Sequence, residues 1–204
     1  MKGLSTFRVL VLLENSAYLS EKYNSNAIKR VIDDISNNFE LTIVCLRKNL
    51  RHKPTPNYHP YFVNPHDSNI KHFVTKVNKL WVNGLTLSRQ ASEIYKENRF
   101  NLIHAHGSAS WVAGILLKWS YKIPLILSGN NFYTGIKKKS LDEEANEIDQ
   151  IKRFCLSYAN YVLLDTGEST FEYLNKFDVP LEKLKHFDHS IYNLIARGEE
   201  NKIY

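Results

Sequence analysis

Two histidines, spaced two residues apart, are the residues of this sequence best suited to chemistry. His104 and His106 alternate with apolar residues in NLIHAHG, so a β-strand would place both imidazoles on one side of a sheet. An HxH pair can bind a metal ion, but no nearby cysteine or carboxylate completes a ligand set, and we therefore expect no metal site. We expect His104 to be hydrogen-bonded within the sheet layers and His106, beside Gly107 at the strand end, to line a cleft.

Further polar candidates come after two other apolar runs. Glu14 and Asn15 follow FRVLVLL, and Asn130 and Asn131 follow PLILSG. Glu14 could act as a base or accept a hydrogen bond from a hydroxyl, although loop carboxylates are commonly just solvated. The asparagines could bind sugar hydroxyls or simply occupy a turn, because Asn tolerates left-handed backbone angles. The sequence leaves both alternatives open.

The elements that must position these residues follow from hydrophobic patterning. Short apolar runs alternate with amphipathic stretches, which is typical of repeated βαβ units. The predicted strands cover residues 7–13, 39–46, 61–64, 100–105, 124–128, 161–165 and 184–188. The predicted helices cover residues 25–38, 69–98, 108–121, 142–159 and 168–177, with a break or kink at Gly84. We therefore predict one α/β domain, a three-layer Rossmann-like fold with a mostly parallel sheet and helices on both faces, whose ligands bind beyond the carboxyl ends of the strands.

Composition excludes several classes of function. The 204 residues carry a formal charge of +6, yet no Arg-rich run, zinc-finger spacing or RNA-binding signature accompanies it, so we expect no nucleic-acid partner. The loop after the first strand, ENSAYLSEKYNS, has no glycine, and no GxxxxGK[ST] occurs, so dinucleotide and P-loop sites are not expected. Without a signal peptide or an apolar run of membrane-spanning length, we expect a cytoplasmic protein whose two cysteines are reduced and structural.

The segment from Asn101 to Asn193 resembles a known family. NLIHAHGSASWVAGILLKWSYKIPLILSG, followed by ANYVLLDTGESTFEYLNKFDVPLEKLKHFDHSIYN, resembles the N-terminal domain of family 4 type glycosyltransferases with the GT-B fold. In that family a strand ending in IHAHG precedes an Ala-rich helix, an IPLV-type strand, an ADRVIAVSE strand and helix, a GVPPEKI turn and an NGVD linker. Residues 7–46 fit the first β-α-β unit of such a domain by pattern.

The resemblance implies a domain organisation and an activity. Residues 1–193 would form the N-terminal domain and residues 194–204 a remnant of the interdomain linker, with the C-terminal donor-binding domain absent. Such a chain would be the acceptor-side half of a retaining, metal-independent glycosyltransferase that assembles glycans or glycolipids. It would need no cofactor, since the nucleotide-sugar is a co-substrate held mainly by the missing half, and alone it would be inactive. Its partners would be the acceptor and a donor-binding domain on another chain, at the inner face of the membrane.

The resemblance also assigns roles to particular residues. It makes Asn130 and His106 the catalytic candidates that line the cleft. Glu14, Asn15, Asn131 and Gly107 become candidates for acceptor binding. Thr166 to Glu168 match the family's VSE turn, where we expect no more than a helix start.

Two departures from the family favour a different function. The family commonly has a histidine in a TVHG-like turn where this chain has Asn130, and Asn cannot be protonated near neutral pH. The Gly-rich turn after the first strand is replaced by Glu14, Asn15 and Ser16. The alternative is therefore a non-catalytic glycosyltransferase-like domain that binds a glycan, a lipid head group or a partner protein.

Two surfaces are candidates for interaction. The helix over residues 70–87 carries lysines beside aromatic residues, which suits anionic lipid, although we favour packing of its apolar stripe on the sheet. The basic residues are Lys71, Lys76 and Lys79, and the aromatic ones Phe73 and Trp81. The tail contains apolar residues with no evident core to enter, which predicts either an interface, with a partner or a second copy, or a frayed end. They are Ile191, Tyr192, Leu194, Ile195 and Tyr204.

Overall fold

The computed structural model of the chain describes residues 7–15, 19, 27–46, 60–65, 76–129, 143–164, 177–186 and 190–198. Its strands are β1 Arg8–Leu13, β2 Glu40–Leu46, β3 Pro60–Val63, β4 Leu102–His106, β5 Leu125–Ser128, β6 Tyr161–Leu164 and β7 Leu184–His186. Its helices are α1 Ala27–Asn38, α2 Lys76–Glu97, α3 Ser108–Tyr121, α4 Glu143–Tyr158 and α5 Ser190–Ala196. The predicted helix over 168–177 lies almost wholly outside the described residues, as do Thr166 to Glu168.

All seven strands form one parallel sheet in the order β3-β2-β1-β4-β5-β6-β7. The predicted α/β Rossmann-like class is thereby confirmed. The strand order reverses direction between β1 and β4, and such a switch point is where open α/β sheets bind ligands. Leu13 pairs with His106 and His106 with Ser128, so the last residues of β1, β4 and β5 lie side by side.

Side chains that alternate along the strands pack into two separate hydrophobic cores, one on each side of the sheet. On the first face, Leu10 and Leu12 of β1 pack in one cluster with buried residues of α2, α3 and α4. On the second face, Val11 and Leu13 pack in another cluster with buried residues of α1 and α5. A strand buried on both sides must be apolar at nearly every position, which explains the run RVLVLL.

Helix α2 differs from the prediction at Gly84, where the helix is not broken. The helix continues from Lys76 to Glu97, and a Cβ atom on Gly84 would lie 2.7 Å from Val112 Cγ1. Glycine is therefore present because α2 and α3 approach closely there. The inner stripe of α2 comprises Leu80, Gly84, Leu87, Ala91 and Ile94. Trp81 lies outside that stripe and is 38% exposed.

The tail was predicted to leave apolar groups without a core, and for three of them this is wrong. Ile191, Tyr192 and Ile195 lie on α5 and are buried in the cluster of the second face. The hydroxyl of Tyr192 is accommodated because it makes a hydrogen bond inside that cluster. Leu194 is half-buried, and Tyr204 lies outside the described residues. Of residues 194–204, expected to be a linker remnant, Ile195 belongs to this core.

Both cysteines are buried and neither forms a disulfide, as expected of structural thiols. Burial raises the pKa of the Cys155 thiol to about 12. A thiol that does not ionise near neutral pH is a poor nucleophile. We therefore assign Cys155 to packing between α4 and the sheet.

Candidate functional site

The candidate site lies at the carboxyl ends of β1, β4 and β5, where polar residues replace the apolar residues of the strands. Two groups of residues meet at this edge, one on each face of the sheet. We call the first the histidine network, formed by His104, His106, Ser128 and Tyr192. We call the second the Glu14 corner, formed by Glu14, Gly107, Ala109 and Lys152.

The histidine network is held by three short hydrogen bonds on the second face of the sheet. The Oγ atom of Ser128 lies 2.6 Å from His104 Nε2 and 2.9 Å from His106 Nδ1. The hydroxyl of Tyr192, on α5, lies 2.7 Å from His104 Nδ1. The hydrogen bonds of His104 confirm the expected place of that residue between the sheet layers. One serine of β5 thus links both histidines of β4.

Both imidazoles are fully buried, and this controls their charge. Burial lowers the pKa of His106 to about 3, and burial together with the nearby charge of His106 lowers the pKa of His104 to about 3. A buried cation without a counter-charge costs several kcal/mol, so the neutral ring is strongly favoured. At neutral pH the network consists of hydrogen-bonding groups without charge.

The Glu14 corner lies on the first face and is built on a helix N-terminus. Glu14 Oε2 accepts a hydrogen bond of 3.0 Å from the backbone N–H of Ala109, in the first turn of α3. A carboxylate is favourable there because the first N–H groups of a helix lack partners within it and the helix dipole is positive at that end. The side chain of Glu14 therefore caps α3 across a sequence separation of 95 residues.

Gly107 is required by this arrangement. Its φ of 93° lies in the region that side-chain-bearing residues rarely adopt, and a Cβ atom would overlap Glu14 Cδ. The carboxylate of Glu14 consequently occupies the space that any other residue at position 107 would fill.

Lys152 of α4 adds a buried cation to the corner. Its Nζ atom lies 3.9 Å from Asp149 Oδ1. Burial lowers the pKa of Lys152, and the negative charges of Asp149 and Glu14 oppose part of that decrease. Glu14 and Lys152 are therefore electrostatically coupled, although they lie on different elements.

Hydrogen bonds to backbone carbonyl oxygens fix the strand ends relative to one another. Gly107 N–H donates to Ser128 O at 3.1 Å, and the indole N–H of Trp111 donates to the same oxygen at 2.8 Å. Glu14 N–H donates to His106 O at 3.4 Å. The two groups are thus attached to one rigid edge.

The residues predicted from the sequence are partly brought together. Glu14, Asn15, His106 and Gly107 lie at the same edge, with Glu14 and Asn15 half-buried and His106 fully buried. Asn130 and Asn131 lie outside the described residues, directly after Gly129. Whether any of these residues contacts a substrate stays a prediction.

Sequence reasoning missed three participants: Ser128, Tyr192 and Lys152. A signal existed for Ser128, because it is the one polar residue of the strand LILS and it ends that strand. Tyr192 was placed in an exposed tail, and Lys152 looked like one more charge of an amphipathic helix. Neither carries a local pattern that points to the site.

The described part of the chain lacks two kinds of feature. No group of three or more histidine, cysteine or acidic side chains there could hold a metal ion. No helix there is both long enough and apolar enough to cross a membrane.

Comparison with known proteins bears on the fold of this chain. No protein-family model matches the sequence, and no curated protein matches it. Solved structures do match. UDP-N-acetylglucosamine 2-epimerase from Rickettsia bellii superposes with a TM-score of 0.57 at 14% identity, covering 97% of this chain and 48% of that one. Sucrose-phosphate synthase from Thermosynechococcus elongatus gives a TM-score of 0.63 at 10% identity, covering 88% and 47%.

The lipopolysaccharide outer core galactosyltransferase WaaB in its apo form gives a TM-score of 0.51 at 13% identity, covering 88% of this chain and 44% of that one. These structures have the GT-B fold. The chain spans about half the length of each of these three structures. At such low identity the likeness shows the fold, and the chain has the Rossmann-like architecture of half of a GT-B protein.

Proposed function

We propose that this chain is the acceptor-side half of a retaining, nucleotide-sugar-dependent glycosyltransferase that assembles glycans or glycolipids. The donor-binding half would be supplied from outside the 204 residues. The observation that carries the proposal is the match of nearly the whole chain to about half of several GT-B structures. The succession of motifs from IHAHG to the predicted linker supports the acceptor side.

The polar edge supports this role through its chemistry. Sugar acceptors offer hydroxyl groups, which are recognised by neutral and charged hydrogen-bonding groups placed on a rigid frame. Asn15, Asn130 and Asn131 would bind hydroxyls, and Glu14 would accept from one. Because the two halves of such an enzyme act around one cleft, positioning and electrostatic stabilisation require both.

The acceptor role is tested by binding. The full chain would be titrated calorimetrically with nucleotide-sugars and applied to an array of glycans and glycolipid head groups. We expect binding to one class of glycan and weak or absent binding to nucleotide-sugars. Tight nucleotide-sugar binding without glycan binding would instead assign the chain to the donor side.

Variants at the predicted cleft separate catalysis from binding. With a donor-binding half present, Asn130→Ala and His106→Ala should abolish transfer if these residues act in the reaction. Tyr95→Phe, on the other face of the sheet where Tyr95 stacks on Tyr121, serves as the control for folding. If both variants only weaken a glycan-binding isotherm, the non-catalytic alternative is supported.

A second candidate function is the non-catalytic binding domain. The Glu14 corner favours it specifically, because the carboxylate occupies the N-terminus of α3, where phosphate groups of ligands often bind in related α/β folds. Asn130 in place of a histidine points the same way. In this case the glycan array would give a ligand while no donor half restores transfer.

Contact with a membrane or with a second chain remains part of the proposal. On α2, Trp81 is 38% and Leu85 is 53% exposed, and Lys76 and Lys79 are also exposed. This composition suits a weak interaction with anionic lipid. Sedimentation with vesicles of anionic and of neutral lipid tests it, with binding expected only to the anionic vesicles.

A further inference from the structure

We infer that Tyr192, His104 and Ser128 form a directed hydrogen-bond relay that keeps the ring proton of His106 on Nε2. The relay runs from α5 through β4 and β5 to the carboxyl end of the sheet. It makes His106 a donor at Nε2, with its Nδ1 atom accepting from Ser128. The inference concerns positioning residues and holds whether or not the chain transfers sugars.

The first step is that Ser128 has only one hydroxyl proton. Its Oγ atom is within hydrogen-bond distance of His104 Nε2, at 2.6 Å, and of His106 Nδ1, at 2.9 Å. A hydroxyl donates once and accepts through its lone pairs. If both contacts are hydrogen bonds, one imidazole must donate to Ser128 and the other must accept from it. The tautomers of the two histidines are therefore coupled.

The second step is that Tyr192 selects one of the two coupled arrangements. Its hydroxyl lies 2.7 Å from His104 Nδ1. A phenol is a stronger hydrogen-bond donor than an aliphatic hydroxyl, and a neutral imidazole offers one strong acceptor nitrogen. Donation from Tyr192 to Nδ1 fixes the proton of His104 on Nε2, because the hydrogen bond of one ring nitrogen sets the tautomer.

The direction of the other hydrogen bonds follows from the tautomer of His104. His104 Nε2–H donates to Ser128 Oγ, the Ser128 hydroxyl donates to His106 Nδ1, and the proton of His106 resides on Nε2. Burial excludes the alternative in which a ring carries two protons, since the pKa of each histidine is lowered to about 3. Successive hydrogen bonds of this kind polarise and strengthen one another.

The consequence is that a residue of the last helix determines the hydrogen-bonding character of the strand end. His106 would act on a neighbouring group as a hydrogen-bond donor through Nε2 and not as a base. Tyr192, predicted from the sequence to be a surface residue, is thus the residue that sets the tautomer of His106. The tertiary position of α5 and the tautomer of His106 are thereby linked.

The relay is tested by nitrogen NMR of the histidine rings in the full chain at pH 7. Chemical shifts of the two ring nitrogens distinguish a protonated from an unprotonated nitrogen in each ring. We expect both His104 and His106 as Nε2–H tautomers. Either ring found mainly as the Nδ1–H tautomer, or as an imidazolium, would overturn the inference.

A pair of tyrosine variants tests the origin of the control. Tyr192→Phe removes the donor while retaining the ring, and we expect the ratio of Nε2–H to Nδ1–H in His106 to fall at least about fivefold, the size of one lost hydrogen bond. Tyr95→Phe, on the opposite face where Tyr95 stacks on Tyr121, is the matched control and should leave both tautomers unchanged. An unchanged ratio in folded Tyr192→Phe would contradict the role of Tyr192.

Ser128→Ala provides the second variant if Tyr192→Phe fails to fold. Removing the hydroxyl breaks the coupling, so the tautomer of His106 should change while His104, still bonded to Tyr192, keeps its proton on Nε2. If His104 changes and His106 does not, the direction of the relay is reversed and the inference is wrong.

Discussion

The two faces of the sheet accommodate polar side chains in different ways at the carboxyl ends of β1, β4 and β5. On the second face, the histidine network buries four polar side chains and carries no charge at neutral pH. On the first face, the Glu14 corner buries Lys152 and holds the half-buried carboxylate of Glu14 against a helix N-terminus. Both groups stand on adjacent strand ends, since Leu13 pairs with His106.

The difference shows what each group can do. The network is specified by hydrogen bonds whose partners are all buried, so it is rigid and sensitive to protonation. The Glu14 corner depends on charge and on the absence of a side chain at Gly107. It is therefore sensitive to a larger residue at position 107 and to the loss of the Glu14 carboxylate. Four predictions exploit this contrast.

The largest expected effect is a loss of stability in acid caused by the histidine network. The folded pKa values of about 3 lie below the ordinary histidine value of 6.5, so the unfolded chain binds more protons between these limits. Stability is therefore complete above pH 6.5 and decreases as the pH falls, by up to about 1.4 kcal/mol per pH unit for each histidine.

Urea unfolding between pH 7 and pH 5, a range in which carboxylates stay ionised, measures this slope. His106→Gln should halve it, because one of the two titrating rings is gone. An unchanged free energy of unfolding across this range would contradict the burial of neutral histidines.

Substitution of Gly107 should be the most damaging single change at the Glu14 corner. Gly107→Ala combines a strained φ with a clash against Glu14 Cδ, and we expect a loss of about 4 kcal/mol. Gly198→Ala is the control, because Gly198 has a φ of 67° but nothing lies within 4 Å of its added Cβ; it should cost about 1 kcal/mol.

A double variant separates the two costs of Gly107→Ala, which are the strained backbone φ and the steric clash with Glu14. Adding Glu14→Ala to Gly107→Ala should recover the steric part, leaving a cost close to that of Gly198→Ala plus the lost cap. Additive effects of the two substitutions in thermal unfolding would show that Glu14 and Gly107 do not touch.

Removal of the central hydroxyl should cost less than the glycine substitution. Ser128→Ala leaves two buried imidazoles each without one hydrogen bond, and we expect a loss of about 2 kcal/mol. Ser110→Ala is the matched control, since Ser110 is also buried and its hydroxyl has no hydrogen-bond partner among the described residues. That variant should change the free energy of unfolding by less than about 0.5 kcal/mol.

The smallest effect is expected for the charge of Glu14 alone. Glu14→Gln keeps an oxygen that can cap α3 but removes the negative charge, so we expect a loss of about 1 kcal/mol. The same change should lower the pKa of Lys152 further, because one of its two stabilising anions is lost. NMR titration of the Lys152 amine checks this, and an unchanged pKa would show that Glu14 does not act on Lys152.

Much of the fold could be predicted because its signals are local. Strands buried on both faces require uninterrupted apolar runs, and β1 and β5 end within one residue of their predicted limits. The helix predicted over 108–121 is α3 itself. Gly84 was misjudged because its cost to a helix is local, whereas its benefit, the close approach of Val112, is tertiary.

The site could be predicted only in outline. Topology placed Glu14, His106 and Gly107 at one edge, since parallel strands end together. The partners of those residues could not be found, because Ala109 meets Glu14 across 95 residues and Tyr192 meets His104 across 88. Such contacts depend on helix packing, which no periodicity of the sequence records.

Reconstitution tests the proposal that this chain forms the acceptor side of a sugar-transferring cleft. The full chain would be mixed with a donor-binding GT-B half, a labelled nucleotide-sugar and the glycan that it binds. We predict transfer of the label only when both halves are present, and none by either half alone. Robust transfer by this chain without a donor half would contradict the account.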